Sequence, residues 1–286
     1  MKLFLLTFLN GLTLAALYFL VASGFTLVFG LMRNVNLAHG SLYLLGAYVG
    51  YSVIGWTGSW YLGVAAGFLG MAAVGVVLQI LIFRRMEGQD MRQTMVTIGL
   101  SIVLADIMLW IWSGNTYQFE APEILTGTMP MPFVKVYPTY RLVVLAVAVA
   151  IGLLLWLFLN RTAIGTMIRA GVDDRAMLSA TGVNVHLVFA VTFAIGAGLA
   201  GLAGVVGGTA LSIAPGEDVR YLLASLIVTI VGGMGSITGA AIGALLIGMA
   251  EQFGLAYSPT YGVVYTFLIM VAVLAFRPQG IMGRRR

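Results

Sequence analysis

Long apolar runs interrupted by short polar stretches dominate this chain, and they fall at about residues 3–32, 37–56, 60–83, 94–113, 141–160, 186–208, 222–250 and 258–276. A helix rises about 1.5 Å per residue, so about 20 apolar residues cross a hydrocarbon layer of about 30 Å. The pattern predicts an all-α polytopic membrane protein with about eight transmembrane segments, folded as a single domain over residues 1–286. A membrane barrel would instead alternate polar and apolar residues in segments of about ten. The first run is far longer than the apolar core of a secretory leader, and only Lys2 precedes it, so it reads as a retained span.

The seventh run differs from the others because Gly232, Gly233, Gly235 and Ser236 interrupt it near its middle and leave two halves too short to span alone. Orientation gives this break a meaning. Arg84, Arg85 and Arg92 form one basic group, Arg161, Arg169 and Arg175 a second, and Arg277, Arg284, Arg285 and Arg286 a third; together they are ten of the fifteen basic residues. Basic loops face the cytosol. Two spans separate the first two groups, as required, but three runs separate the second group from the tail. A re-entrant helix, break and helix over 222–250, entering and leaving from the extracytoplasmic side, restores the parity. A kinked helix packed through small residues is the competing reading. Non-helical backbone at membrane depth is tolerated only where protein or a wet cavity covers it, which makes such a break a candidate path element.

Composition sharpens the picture. Hydrophobic residues make up 60% of the 286 positions and charged ones 9%, whereas soluble domains carry about 25% charge. No Asp, Glu, Lys or Arg occurs between Arg33 and Arg84 or between Arg175 and Glu217; Asp106 and Glu251 are the two acids inside strongly apolar stretches. Each needs a partner or a place near an interface. The net charge of +5 sits at helix ends and argues for membrane orientation, not nucleic-acid binding. With no cysteine and two histidines, no thiol chemistry, metal cluster or catalytic triad can be assembled, so no catalytic residue, metal or cofactor is expected. No Gly-rich loop precedes a Lys-Ser or Lys-Thr pair, so ATP is not bound here through a P-loop.

Three segments carry candidate chemistry. Arg33 to Tyr43 places Asn36, His39, Gly40 and Ser41 at a helix break between apolar runs, where they would bond a polar solute or one another; Asn36 as the cap of a helix starting at Leu37 is the simpler reading. The glycine break at Gly232, Gly233, Gly235 and Ser236 is the second, and the two breaks are expected to face one another across a central cavity. The third is the polar loop 161–185, where Arg169, Asp173, Asp174, Arg175 and Leu178 lie on an amphipathic stretch closed by Gly182. Such a helix suits a partner's groove, and equally a solvated or membrane-surface position. Residues 114–140 hold four of the seven prolines and read as an ordered extramembrane loop. The run Gly196, Gly198, Gly201, Gly204, Gly207 and Gly208 suits close helix packing.

In order along the chain stand Asn10-Gly11-Leu12-Thr13-Leu14, Gly24-Phe25-Thr26-Leu27-Val28-Phe29-Gly30, Val35-Asn36-Leu37-Ala38-His39-Gly40, Gly182-Val183-Asn184, Gly232-Gly233-Met234-Gly235-Ser236 and Arg277-Pro278-Gln279-Gly280. In these blocks the chain resembles the permease subunits of high-affinity branched-chain amino-acid ABC importers, over essentially its whole length. The resemblance implies a multi-pass protein of the bacterial inner membrane that works with a second permease subunit, two ATP-binding cassette ATPase subunits and an extracytoplasmic substrate-binding protein. In such an importer the two breaks are expected as path elements, and the 161–185 loop is expected to dock in a groove of an ATPase subunit. The chain departs from the family at Ser41, where an acid is usual after His-Gly, and at Leu178, where a small Ala is common. The alternative is an ATPase-independent secondary transporter or channel for a small polar solute, which would need more intramembrane charge than Asp106 and Glu251.

Overall fold

The computed structural model describes residues 2–32, 35–131 and 134–283; Arg33, Asn34 and the tail arginines Arg284, Arg285 and Arg286 lie outside them. Eleven α-helices are present among the described residues. The first, α1, runs Lys2–Met32 over 31 residues. Gly58, at φ +68°, ends α2 (His39–Thr57) by returning its N–H to the Ile54 carbonyl, and Ser59 opens α3 (Trp60–Leu81) by accepting from the Leu62 N–H. After α4 (Asp90–Trp112) the chain forms an antiparallel ribbon, β1 (Thr128–Met131) with β2 (Val134–Pro138). The helix α5 (Thr139–Arg161) follows. Side-chain oxygens of Thr162, Asp174 and Asn184 cap the starts of α6 (Ala163–Asp173), α7 (Arg175–Ala180) and α8 (Val185–Ala210). The chain closes with α9 (Glu217–Gly232), α10 (Ile237–Tyr257) and α11 (Gly262–Phe276).

Six of these helices, α1, α3, α4, α5, α8 and α10, are long and apolar enough to cross a membrane, so the protein is an all-α polytopic membrane protein. The seventh apolar run is two helices. Its break is where the glycines put it, but α9 begins at Glu217, five residues before the hydropathy boundary at 222, and thereby takes in Glu217, Asp218 and Arg220. Only the first half is short. At 16 residues α9 spans about 24 Å, whereas α10 with 21 residues reaches about 31 Å.

The inner helices are α1, α8 and α9, and α8 is the pivot. A Cβ added at Gly201 would stand 2.1 Å from the Gly67 carbonyl oxygen of α3, and one at Gly204 2.1 Å from the Tyr43 carbonyl of α2. The small-residue stripe is therefore a packing seam that lets three backbones touch. Phe25, Tyr43, Phe189 and Phe193 are among the largest side chains buried in the bundle. On the outside, α4 and α5 expose Ile102, Val103, Trp110, Val149, Leu153 and Leu154, a surface suited to lipid.

The three basic groups meet at one end of the bundle, as far as the described residues show. Leu27 near the end of α1 packs with Ile168 of α6 and with Val188 and Phe189 at the start of α8. Glu87, between α3 and α4, lies 3.1 Å from His186 of α8. Gly30 abuts Gly235, and Gly233 abuts Gly283 of the tail.

Candidate functional site

The break before α2 is built from hydrogen bonds that Asn and His side chains supply where the helix ladder stops. Asn36 accepts from the Ala38 N–H through its side chain (3.1 Å), and its carbonyl accepts from the His39 N–H (3.2 Å). It caps a turn, and the helix starts at His39, two residues later than expected. Its amide nitrogen is buried and has no partner among the described residues. It adjoins a small cavity walled by Met32, Phe83, Gln93, Thr97 and Phe193. His39 is 1% exposed, its Nε2 lies 3.1 Å from the Val21 carbonyl of α1, and its ring stands edge-on to Phe25. A carbonyl only accepts, so Nε2 carries the proton and donates.

Gly40 and Ser41 do something the sequence did not show: they dock α2 onto the start of α9. A Cβ at Gly40 would lie 2.0 Å from the Asp218 carbonyl oxygen, so only hydrogen fits there. That approach brings the Ser41 hydroxyl to Asp218 Oδ2 at 3.2 Å. A carboxylate therefore does stand at this point, delivered by α9 from the far side of the contact. Beside it, between α2, α4 and the start of α9, lies a partly open cavity of about 290 Å³. Ser101, about halfway along α4, lines it, so the cavity lies near mid-span.

The second break is a turn at the basic end. Gly233 and Gly235 take φ of +107° and +80°, and Ser236 caps α10 through the Gly239 N–H at 3.0 Å. Gly232 meets Gly239 across the α9–α10 hairpin, where a Cβ would stand 2.2 Å from the Gly239 carbonyl oxygen. The two breaks do not face one another. Asn36–Ser41 meets the N-terminal end of α9 at Asp218, while Gly232–Ser236 lies at its other end, 14 residues or about 21 Å along the axis. The expectation failed because the extent of α9 was read from hydropathy, which hid its charged first turn.

That first turn belongs to a charged cluster which sequence reasoning missed. Arg220 lies 3.5 Å from Glu217 and 3.6 Å from Glu251 of α10, and the Tyr18 hydroxyl of α1 donates to Glu251 at 2.6 Å. Glu251, a lone acid by sequence, draws its partners from two other helices. The usable signal was Glu217 and Asp218 followed by Arg220, acids in a first turn with an i,i+3 base, which marks a helix start. Asp106 is exposed on α4. The charge count that argued against a coupled carrier is thus larger than the sequence indicated, and that argument loses its force.

On the basic end, α6 and α7 present Arg169, Asp173 and Asp174 to solvent, with Arg169 bonded to the Asn160 side chain at 2.7 Å. Arg175 lies over the Phe189 ring at 4.7 Å, and Gly182, exposed at φ +81°, turns the chain toward α8. Leu178 is 6% exposed and belongs to the chain's own packing; the outward apolar residue is Met177, 69% exposed.

Residues 7–274 match the family model of the branched-chain amino acid transport system / permease component. The chain is 32% identical to the high-affinity branched-chain amino acid transport system permease protein LivH of Escherichia coli K12, over 98% of this chain and 96% of that protein. It is 31% identical to the permease protein BraD of Pseudomonas aeruginosa, over 96% and 94%. A ribose import permease protein, RbsC of Escherichia coli K12, is 26% identical over 82% and 73%. No solved structure matches. The glycine turn, the His-Gly break, five of the six apolar spans and all but the first residues of the other lie inside the matched region, and the chain belongs to the family of branched-chain amino acid transport system permease components.

Proposed function

We propose that this chain is one transmembrane subunit of an ATP-binding cassette importer that moves branched-chain or closely related amino acids inward across the bacterial inner membrane. The observation that carries the reading is the match over residues 7–274, together with near-full-length similarity to permeases named for branched-chain amino acids. The partners are a second permease subunit, two ATP-binding cassette ATPases that hydrolyse the ATP, and an extracytoplasmic substrate-binding protein that selects the solute. Co-purification of two ATPases, with leucine uptake into proteoliposomes that requires ATP, is the expected result. Uptake sustained by an ion gradient in the purified chain alone would favour a secondary transporter instead.

Coupling to the ATPases is assigned to α6 and α7. Arg169, Asp173 and Asp174 face outward there, and Met177 adds an exposed apolar side chain beside them. Met177→Asp is expected to cut ATP-driven uptake by about tenfold or more, because a charge at the centre of an interface removes a principal contact. Membrane insertion should be unchanged. Leu178→Asp is a poorer probe, since its effect would mix with damage to the buried side of the helix.

In the proposed topology eight apolar segments include the α9–α10 hairpin as a re-entrant element open to the extracytoplasmic side. The basic end faces the cytosol and the 114–140 loop faces outward. The chain has no cysteine, so single cysteines at Ala214 and Ala256 should both react with an impermeant maleimide from outside. Reaction of either from the cytosol alone would replace the hairpin with a full crossing.

A further inference from the structure

We propose that Asp218 is the ammonium-binding group of a solute station in the cavity between α2, α4 and the start of α9, a site for a zwitterionic amino acid with an apolar side chain. The proposal rests on the reading of this chain as an importer subunit and adds the place and the chemistry of a station on its path.

Three observations converge on it. First, Asp218 is 8% exposed, and a carboxylate removed from water at membrane depth needs compensation. The Ser41 hydroxyl at 3.2 Å is neutral, and among the described residues no cation forms an ion pair with Asp218; Arg220 is taken up by Glu217 and Glu251. Second, the adjoining cavity of about 290 Å³ lies just under the ~300–1,000 Å³ range of drug-sized ligand sites, a size for a smaller solute. Its walls combine Leu44, Ile102, Met108 and Val219 with Asp218, an apolar surface around one anionic group. Third, α9 begins at Glu217, behind Gly216, without a side-chain cap; the Glu217 N–H bonds the Ala214 carbonyl at 3.2 Å, the N–H groups that follow have no side-chain acceptor, and Gly216 lines the same cavity. A carboxylate is the natural partner of an open helix N-terminus, and the helix here is 16 residues long. Asp218, an apolar wall and the start of α9 all border this one cavity, and they match the ammonium, side chain and carboxylate of an amino acid in kind. A metal cation would use the carboxylate but leave the apolar wall unexplained.

The test uses the complete complex in proteoliposomes, with its partner subunits and binding protein, and reads initial rates of radiolabelled leucine uptake. In the Asp218→Asn variant uptake should fall by about tenfold or more, through loss of one charge-assisted hydrogen bond, while the leucine concentration giving half-maximal rate, set by the binding protein, stays put. The swap Ser41→Asp with Asp218→Ser returns a carboxylate to the same contact from the α2 side, and should restore uptake to within about threefold of the native rate. If Asp218→Asn is not recovered as folded complex, the swap decides alone: transport supports the station, and its absence in a folded complex overturns it. Native uptake without ATP dependence would sink the importer reading. ATP-driven uptake that Asp218→Asn leaves within twofold would sink this proposal and leave that reading standing. Leucine uptake that proves sodium-dependent, with the dependence lost in Asp218→Asn, would give the carboxylate to a cation and overturn the assignment.

Discussion

Arg220→Leu should destabilise the detergent-solubilised protein by about 1–3 kcal/mol, clearly more than Glu251→Gln, and the double variant Arg220→Leu with Glu251→Leu should recover most of the loss. The asymmetry comes from what each change leaves behind. Glu251 is 8% exposed and holds the Tyr18 hydroxyl at 2.6 Å on one oxygen and Arg220 at 3.6 Å on the other. Without Arg220 the carboxylate stays buried with a single hydroxyl donor. Without the charge on Glu251, Arg220 keeps Glu217 at 3.5 Å, and its guanidinium is about half exposed to solvent. Leucine at both positions removes the stranded charge and costs the Tyr18 hydrogen bond and the half-exposed Arg220–Glu217 pair. Thermal unfolding followed by size-exclusion recovery measures all three. A double variant no more stable than Arg220→Leu alone would mean that Arg220 and Glu251 act independently, which the geometry opposes.

This cluster also marks how far the sequence could be read. Six of the eight expected spans, the basic end, the glycine seam and the helix break were legible because each rests on a local signal: run length, loop charge, small residues at spacing three and four, and clustered glycines. The short α9 was the weak point. Its first turn, Glu217 to Arg220, lowers the local hydropathy as a loop would, so the run seemed to start at 222. What makes that turn tolerable within the bundle is tertiary: Glu251 arrives from α10, Tyr18 from α1 and Ser41 from α2. None of these pairings has a sequence spacing that a reader could test. Leu178 failed for a related reason. An amphipathic loop helix has two faces, and Leu178 was assigned to a partner, whereas it is 6% exposed on the side of α7 that packs within the chain, against α6 and α8.

Gly233→Val should cause the largest loss at any single position in the tail-proximal turn: folded yield and ATP-driven uptake both reduced by about tenfold or more. Two independent costs add at this site. The backbone sits at φ +107°, where a β-branched side chain is strained by about 1–3 kcal/mol. The new Cβ would also stand 2.5 Å from the Gly283 nitrogen, which is main chain and has no rotamer to change. What moves is the tail, and the tail has work to do. Ile281 and Met282 donate their N–H groups to the carbonyls of Val231 and Gly232, both at 2.9 Å, and so satisfy the last turn of α9, whose carbonyls have no partner within the helix. The turn of the Arg277-Pro278-Gln279-Gly280 segment, closed by the Gly280 N–H on the Arg277 carbonyl at 2.9 Å, aims those donors. Displacing it frees two buried acceptors and loosens the α9–α10 hairpin where it meets Gly30 of α1. Gly58→Asn is the matched control: φ is again positive, at +68°, but no atom stands within 4 Å of the added Cβ, and asparagine tolerates that conformation. Gly58→Asn should transport at the native rate. If Gly233→Val unfolds at the same temperature as Gly58→Asn, the tail does not clamp this turn, and the glycines at 232–235 serve only to let α9 and α10 pass closely.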